Sequence, residues 1–342
     1  MTTKLRILQG DCIAEMDWLA DESIQCCITS PPYFGLRDYG VEGQIGLEQT
    51  PEEYVRKMVE VFREVRRVLK PDGTLWLNLG DSYAGYHGNK NAAYEEAPSN
   101  KGGYFENQRK TLVNHNGIKN KDLIGIPWMV AFALRADGWY LRQDIIWRKP
   151  NPMPESVTDR CTKSHEYIFL MSKSPKYYFD HEAIKEPAVG QNEHDLTGPG
   201  YKAPGQSAQT GSRSKRDSFK RTGSKRAQVI PGQSVGTHRE DREESAYDTS
   251  TRNRRSVWDV ATRPYKGAHF ATFPPALIEP CVLAGSRRGD VVLDPFGGSG
   301  TTGAVALQHG RRAVLCELNQ EYIPLIHQRV NALAPTTEDD EL

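Results

Sequence analysis

The stretch Val291-Val-Leu-Asp-Pro-Phe-Gly-Gly-Ser-Gly-Thr-Thr302 constrains the fold more than any other part of the chain. An apolar run ends at an acidic residue, a glycine-rich turn follows, and a helix is predicted over residues 301–308. Glycines in such a turn allow positive φ and let a ligand approach the backbone at a helix start. A strand that is apolar on both faces has to be covered on both, which asks for a parallel sheet between two layers of helices. The rest of the sequence supplies the parts. Strands are predicted over residues 5–8, 24–29, 74–79, 140–147, 166–171, 291–296 and 313–317, and further helices over 126–136, 274–283 and 320–330. One more helix starts at Thr50-Pro-Glu-Glu53, with Thr50 as N-cap, Pro51 in the first turn and Glu53 closing a capping box. Tyr54, Met58, Phe62, Val65 and Leu69 then share one face, and Lys70-Pro-Asp-Gly73 stops the helix. The expected class is α/β, a mixed and mainly parallel sheet with helices on both faces.

At 342 residues the chain holds either one large domain with insertions or two domains. Apolar periodicity is dense over 1–80, 123–180 and 256–330. Two polar stretches, 82–122 and 187–255, separate these regions. Lys+Arg and Asp+Glu are 44 each, which excludes a uniformly basic nucleic-acid binder but not a local patch. Residues 202–255 are such a patch, with 13 Lys+Arg against 6 Asp+Glu, a net of +7. They are too polar to build a core alone. No run of 18 apolar residues is present, so no membrane contact is expected. Met1-Thr-Thr-Lys-Leu-Arg6 lacks the apolar core of a signal peptide, and a cytoplasmic protein is expected. The six cysteines form no C-x-x-C pair, so they read as reduced thiols, and no metal site is expected.

The glycine loop reads as a nucleotide-type site. Gly298-x-Gly300-x-x-Gly303, with Glu317 19 residues beyond Gly298, matches the dinucleotide fingerprint, so a dehydrogenase has to be weighed. A tight turn without a ligand is the simpler alternative. Three details favour S-adenosylmethionine. Asp294 ends the strand, where it can pair with an ammonium group. Glu317 ends the next strand, where it can accept from both ribose hydroxyls. Only one strand–helix unit follows the loop, whereas a dehydrogenase carries several.

A second turn, Thr29-Ser-Pro-Pro-Tyr33, also follows a strand. Two prolines fix the backbone and remove two N–H donors, leaving acceptors exposed. This suits one chemical problem. The exocyclic amino group of a base is a poor nucleophile, because its lone pair is delocalised into the ring. Acceptors that hold both amino hydrogens can pyramidalise the nitrogen and aim its lone pair at an electrophilic methyl. The Ser30 hydroxyl and the Pro31 carbonyl can be those acceptors, and Tyr33 offers an aromatic face for stacking. A rigid loop with a packing tyrosine is the alternative.

Both turns lie at strand C-termini, where ligands bind in parallel sheets. Taken together, Gly10-Asp11, Thr29 to Tyr33, Leu77-Asn-Leu-Gly-Asp81, His269-Phe-Ala-Thr-Phe-Pro274, Asp294 to Thr302 and Glu317 resemble the amino-methyltransferases that modify DNA. The similarity is to the permuted group in which the catalytic turn precedes the cofactor loop, and it covers nearly the whole chain outside the two polar inserts. It implies a Rossmann-like, S-adenosylmethionine-dependent methyltransferase fold. It implies a catalytic half over 1–180 (with its polar insert at 82–122), a target-recognition insert over 181–265, a cofactor half over 266–334 and an acidic tail over 335–342. Ser30, Pro31, Pro32 and Tyr33 would form the catalytic turn. Asp294, Pro295, Phe296, Gly297, Gly298, Ser299, Gly300, Thr301 and Glu317 would hold the cofactor. Phe270, Thr272 and Pro274 would lie beside its methionine part, and Asp11 would approach its adenine.

The resemblance also implies direct in-line transfer to a base flipped out of double-stranded DNA. Members that methylate cytosine N4 usually carry Ser before Pro-Pro, and those that methylate adenine N6 usually carry Asp or Asn. Ser30 therefore favours cytosine N4, with adenine N6 as the alternative. Cytosine C5 chemistry would need a reactive thiolate, and Pro280-Cys281 lies in an apolar segment that reads as packing. Arg213, Lys215, Arg216, Lys220, Arg221, Lys225 and Arg226 suit DNA phosphates. Asn253-Arg-Arg-Ser-Val-Trp258 reads as an ordered piece at the end of the insert. The loops 149–154 and 160–165 are further candidates for DNA contact. A methyltransferase acting on RNA or protein, and a DNA-binding protein that keeps the fold without turnover, are the remaining rivals. A homodimer and a cognate restriction nuclease are open partners.

Overall fold

A computed structural model describes residues 4–85, 115–188, 251–262 and 273–333. They divide into two compact units, Lys185–Arg252 and the remainder, Met1–Ile184 with Asn253–Leu342. In the smaller unit, strands β6 (Glu186–Pro187) and β7 (Thr251–Arg252) pair antiparallel, and Arg252 bridges Glu186 at 2.8 Å.

The larger unit is built on one sheet. Among the described residues its strands are β1 (Leu5–Gln9), β2 (Ile24–Thr29), β3 (Leu69–Leu79), β4 (Tyr140–Arg148), β5 (His165–Ser172), β8 (Val257–Asp259), β9 (Val291–Asp294) and β10 (Arg312–Glu317). Their spatial order is β1-β10-β9-β2-β3-β5-β4-β8. The run from β1 to β3 is parallel, β5 is antiparallel to both its neighbours, and β8 is parallel to β4. The helices are α1 (Cys12–Met16), α2 (Pro51–Val68), α3 (Ile126–Ala136), α4 (Pro275–Gly285), α5 (Thr301–Gln308) and α6 (Ile323–Leu333). No described helix is long and apolar enough to cross a membrane.

Period-two alternation sends β-strand side chains to opposite layers. Leu75, Leu77 and Leu79 of β3 join Cys27 of β2 in one cluster with Tyr54, Met58, Phe62 and Val65 of α2 and Leu134 of α3. Trp76, Cys26 and Ile28 enter the other cluster with Leu277 and Val282 of α4, Val305 of α5 and Trp258 of β8. The alternation expected of a two-faced sheet is thus carried by consecutive residues.

The capping box of α2 forms in both directions. Thr50 Oγ1 accepts from the Glu53 N–H at 3.2 Å, and Glu53 Oε2 accepts from the Thr50 N–H at 3.3 Å. Several element ends differ from expectation. Lys70 to Gly73 do not separate helix from strand but continue directly as β3. A register shift opposite Ile24 and Cys26 absorbs them, and a Cβ at Gly73 would stand 3.1 Å from the Gln25 carbonyl. β9 stops at Asp294 rather than running to residue 296, because Pro295 has no N–H and Asp294 caps the Phe296 N–H at 3.0 Å. α4 runs through Pro280 to Gly285, two residues past the expected end. The last helix begins as a 3-10 turn, Gln320–Tyr322, before α6. α1 and β8 were not predicted as elements. α1 is a five-residue helix and β8 a three-residue edge strand, too short to show periodicity.

Candidate active site

The sheet topology creates a crevice. From β9 the chain passes through α5 to β10 on one side, whereas from β2 it passes through α2 to β3 on the other. The two helices cover opposite faces, so the C-terminal ends of β9 and β2 diverge at a topological switch point. Cys27 of β2 registers with Leu293 of β9, which sets Thr29 beside Asp294. The cleft there is lined by Gly10, Asp11, Ser30, Pro32, Phe273, residues 294–299, Thr301 and Glu317, together with Tyr39, Val41, Gln44, Ile45, Asn319 and Tyr322.

The glycine loop is held by its own backbone. The Gly297 N–H donates to the Cys316 carbonyl at 2.8 Å, and the Gly10 N–H donates to the Glu317 carbonyl at 3.0 Å. Gly298 and Gly300 take φ of 52° and 80°, which side chains disfavour. At Gly300 a Cβ would also press to 2.8 Å from Ile326 Cγ2 of α6. Two buried carboxylates flank this loop. Asp294, 2% exposed, accepts from Thr29 Oγ1 at 2.6 Å and the Phe296 N–H at 3.0 Å through Oδ1, and from Thr302 Oγ1 at 2.7 Å through Oδ2. Burial pushes its pKa up to about 7 against the pull of those donors, with the Glu317 charge adding to the rise. Glu317 accepts from the Gly298 N–H at 2.6 Å and the Asn319 N–H at 2.8 Å, and burial raises its pKa too. Each Glu317 oxygen keeps a lone pair for a further donor. Ser299 Oγ is buried in the cleft wall without a hydrogen-bond partner among the described residues, the mark of a site shaped for a polar ligand.

The turn from Ser30 to Tyr33 is held from farther away. Pro31 is buried, and Tyr54 Oη of α2 donates to the Pro32 carbonyl at 2.9 Å. The half-buried Tyr33 ring lies on Gly80, where a Cβ would stand 2.5 Å from Tyr33 Cε2. Tyr33 Oη accepts from Ser30 Oγ at 3.3 Å and donates toward Glu166 Oε2 at 2.7 Å and Asn78 Oδ1 at 3.1 Å. Since β5 is antiparallel to β3, its first residues reach the edge where β2 and β3 end, which is how Glu166 meets the turn.

The other expected residues divide three ways. Asp11 lines the cleft, and its Oδ1 caps α1 by accepting from the Ile13 and Ala14 N–H groups at 3.0 and 3.1 Å. Thr301 lines it as well, while its hydroxyl accepts from Arg329 Nη1 at 2.5 Å. Pro274 is the N-cap of α4, and its neighbour Phe273 faces the cleft. Phe270, Thr272, Arg213, Lys215, Arg216, Lys220, Arg221, Lys225, Arg226 and the acidic tail lie outside the described residues. Cys281 is buried inside α4 with its pKa well above the ordinary value through burial, which leaves no reactive thiolate there.

In the loops 149–154 and 160–165 the cations are engaged within the protein. Lys149 pairs with Glu166. Arg160 pairs with Glu155 at 2.6 Å and stacks 4.2 Å from the Tyr83 ring centroid. Lys163 Nζ donates to the Asp81 carbonyl at 2.7 Å, and burial lowers its pKa. The ordered piece read at Asn253 to Trp258 supplies β8, with Trp258 Nε1 donating to the Arg255 carbonyl at 2.8 Å. Sequence reasoning missed the cleft loop from Tyr39 to Ile45. It carries no periodicity and is closed by Gln44, which accepts from the Tyr39 N–H at 2.6 Å and donates to the Arg37 carbonyl at 3.0 Å.

Comparison with known proteins matches this architecture. A family model described as DNA methylase, covering the N6 and N4 enzymes, matches residues 24–328. The type II methyltransferase M.SmaI of Serratia marcescens is 45% identical over 325 residues, 95% of this chain and 90% of that protein. M.Cfr9I of Citrobacter freundii is 42% identical over 328 residues, 95% of this chain and 87% of that protein. Among solved structures, PvuII DNA methyltransferase, described as cytosine-N4-specific, superposes with a TM-score of 0.59 at 17% identity, covering 100% of this chain and 90% of that one. The Thermus thermophilus putative DNA modification methylase TTHA0409, complexed with S-adenosyl-L-methionine, gives 0.54 at 23%, covering 97% of each chain. With a methyltransferase fold and a family match over most of its length, the chain belongs to the N6/N4 DNA methylase family.

Proposed function

We propose that this protein is a site-specific DNA methyltransferase that moves a methyl group from S-adenosylmethionine to cytosine N4 in double-stranded DNA. The observation that carries the reading is the meeting of Ser30 and Asp294 in one cleft, at the ends of adjacent parallel strands. The residues fit the methyl donor. Glu317 has lone pairs for ribose hydroxyls, the Oδ2 atom of Asp294 keeps one for an ammonium, and Ser299 Oγ awaits a polar partner. Bound there, S-adenosylmethionine supplies an electrophilic methyl group.

The protein's own contribution is placement. Thr29, bonded to Asp294, ties the catalytic turn to the cofactor strand, so the two half-sites cannot drift apart. Ser30 Oγ and the Pro31 carbonyl accept from the two amino hydrogens and turn the nitrogen lone pair toward the cleft. A base inside the duplex cannot reach them, so the target is flipped out. Residues 181–265 form the target-recognition insert in this reading, with Arg213 to Arg226 on phosphates. Ser30, in place of Asp or Asn, favours cytosine.

Incubation with labelled S-adenosylmethionine and duplex DNA, followed by nucleoside mass spectrometry, tests the proposal. N4-methylcytosine is expected. N6-methyladenine as the sole product overturns the base assignment, and label in RNA or protein alone overturns the DNA assignment.

A further inference from the structure

Asn78 and Glu166 lie outside the catalytic turn, yet both reach it. Glu166 Oε1 is gripped by the Lys149 ammonium, which itself stands 4.3 Å from the Trp147 ring centroid. Both partners of this ion pair are mostly buried, at 19% and 15% side-chain exposure. The Asn78 amide is oriented by its Nδ2, which donates to the Tyr167 carbonyl at 3.0 Å and to Glu166 Oε2 at 3.3 Å. Its Oδ1 therefore faces Tyr33 Oη.

A carboxylate paired with an ammonium offers lone pairs and no proton. The Tyr33 hydroxyl has one proton, and burial, followed by the Glu166 charge, holds it on the oxygen. With acceptors at 2.7 and 3.1 Å on that side, Tyr33 donates there, most strongly to the charged oxygen. Toward Ser30, at 3.3 Å, Tyr33 Oη can then only accept. The Ser30 proton is committed to Tyr33, and the Ser30 lone pairs are what remain for a substrate. A Ser30 hydroxyl free to rotate could instead point its proton at the amine and tie up the electrons needed for attack.

We infer that Glu166, held by Lys149, is a positioning residue that fixes the direction of the hydrogen-bond chain through Tyr33 to Ser30, so that Ser30 presents an acceptor to the amino group being methylated. The inference rests on the amino-methyltransferase reading above and adds to it residues from β5 and the segment after β4.

The test uses the full-length protein, Glu166→Gln, Tyr33→Phe and the double variant. Single-turnover transfer from tritiated S-adenosylmethionine to DNA lacking the modification is measured beside cofactor Kd by calorimetry and Tm. Gln keeps the shape of Glu but brings an NH2 group that can donate to Tyr33 and reverse the chain. Expected are a rate loss of about 10- to 100-fold in Glu166→Gln, an unchanged cofactor Kd, a Tm lowered because the mostly buried Lys149 ammonium loses its charged partner, and no additional loss of rate when Glu166→Gln is added to Tyr33→Phe. A Glu166→Gln enzyme at the parent rate overturns the inference. So do independent, multiplicative losses in the double variant, or a loss explained by weaker cofactor binding or by unfolding at the assay temperature. If the parent protein transfers no label to DNA, the functional reading itself fails, and that result is distinct from a failure in the variants.

Discussion

The two halves of the cleft are built in different ways. Apart from the Thr29 bond to Asp294, the glycine-loop side is local: Asp294 caps Phe296 two positions on and bonds Thr302 eight positions on, and Glu317 holds Gly298 from 19 positions away. Its shape comes from backbone, and glycines open the room. The turn from Ser30 to Tyr33 is held across the chain, with partners 22, 45 and 133 positions from the residues they hold, at Tyr54, Asn78 and Glu166. A local loop can keep its shape while its surroundings change. A turn braced by three separate elements transmits changes made in any of them, so the two sides should fail differently when perturbed.

The largest expected effect is on the braced side. Tyr33→Ala removes the ring that rests on Gly80 and the hydroxyl that reaches Glu166. Turnover should fall by about 100-fold or more, as expected when a reacting group is misplaced by an ångström, while cofactor Kd from calorimetry stays within about twofold. Asp294→Ala should do the reverse. Losing a buried, multiply bonded carboxylate costs about 2–3 kcal/mol, read as a rise of about 30- to 150-fold in cofactor Kd. Equal cofactor binding in that variant would break the comparison.

Two glycine substitutions sharpen it further. Gly300→Ala combines a φ of 80° with overlap onto Ile326. It should lower stability by about 1–3 kcal/mol in urea unfolding. Gly80→Ala displaces the Tyr33 ring, and Gly80 has no left-handed φ to defend. It should therefore reduce kcat with a smaller change in stability.

A pH experiment probes the glycine-loop side through Asp294. The Asp294 pKa rises from 3.8 to about 7 on folding. Its contribution to stability is complete below pH 3.8 and is lost as pH rises through about 7. Urea midpoints of the ligand-free protein should fall across that window, and Asp294→Asn should flatten the fall. The smallest effect is Thr50→Ala, which removes one half of the α2 capping box. It should cost about 1 kcal/mol and leave kinetics untouched, since Thr50 belongs to neither half of the site.

The same contrast explains what could be read from the sequence. Val291 to Thr302 announces strand, turn and helix because its constraints lie within a dozen residues, and α5 falls on the expected residues 301–308. The capping box at Thr50 and the helix over 126–136 were legible for the same reason. Ser30 to Tyr33 could be recognised as a turn with acceptors. Its bracing by Glu166 could not, because that depends on β5 running antiparallel beside β3, and no local pattern in residues 166–171 encodes direction. Lys149, read as a candidate DNA contact, turns inward for the same long-range reason. The cleft loop from Tyr39 to Ile45 is shaped by one glutamine amide, a signal that composition and periodicity do not carry.

The bond between Thr29 and Asp294 joins positions 265 residues apart. During synthesis the turn leaves the ribosome long before its partner strand, so the cleft between them cannot form until β9 has emerged as well. A copy truncated before Val291 would carry the acceptor turn with no donor beside it.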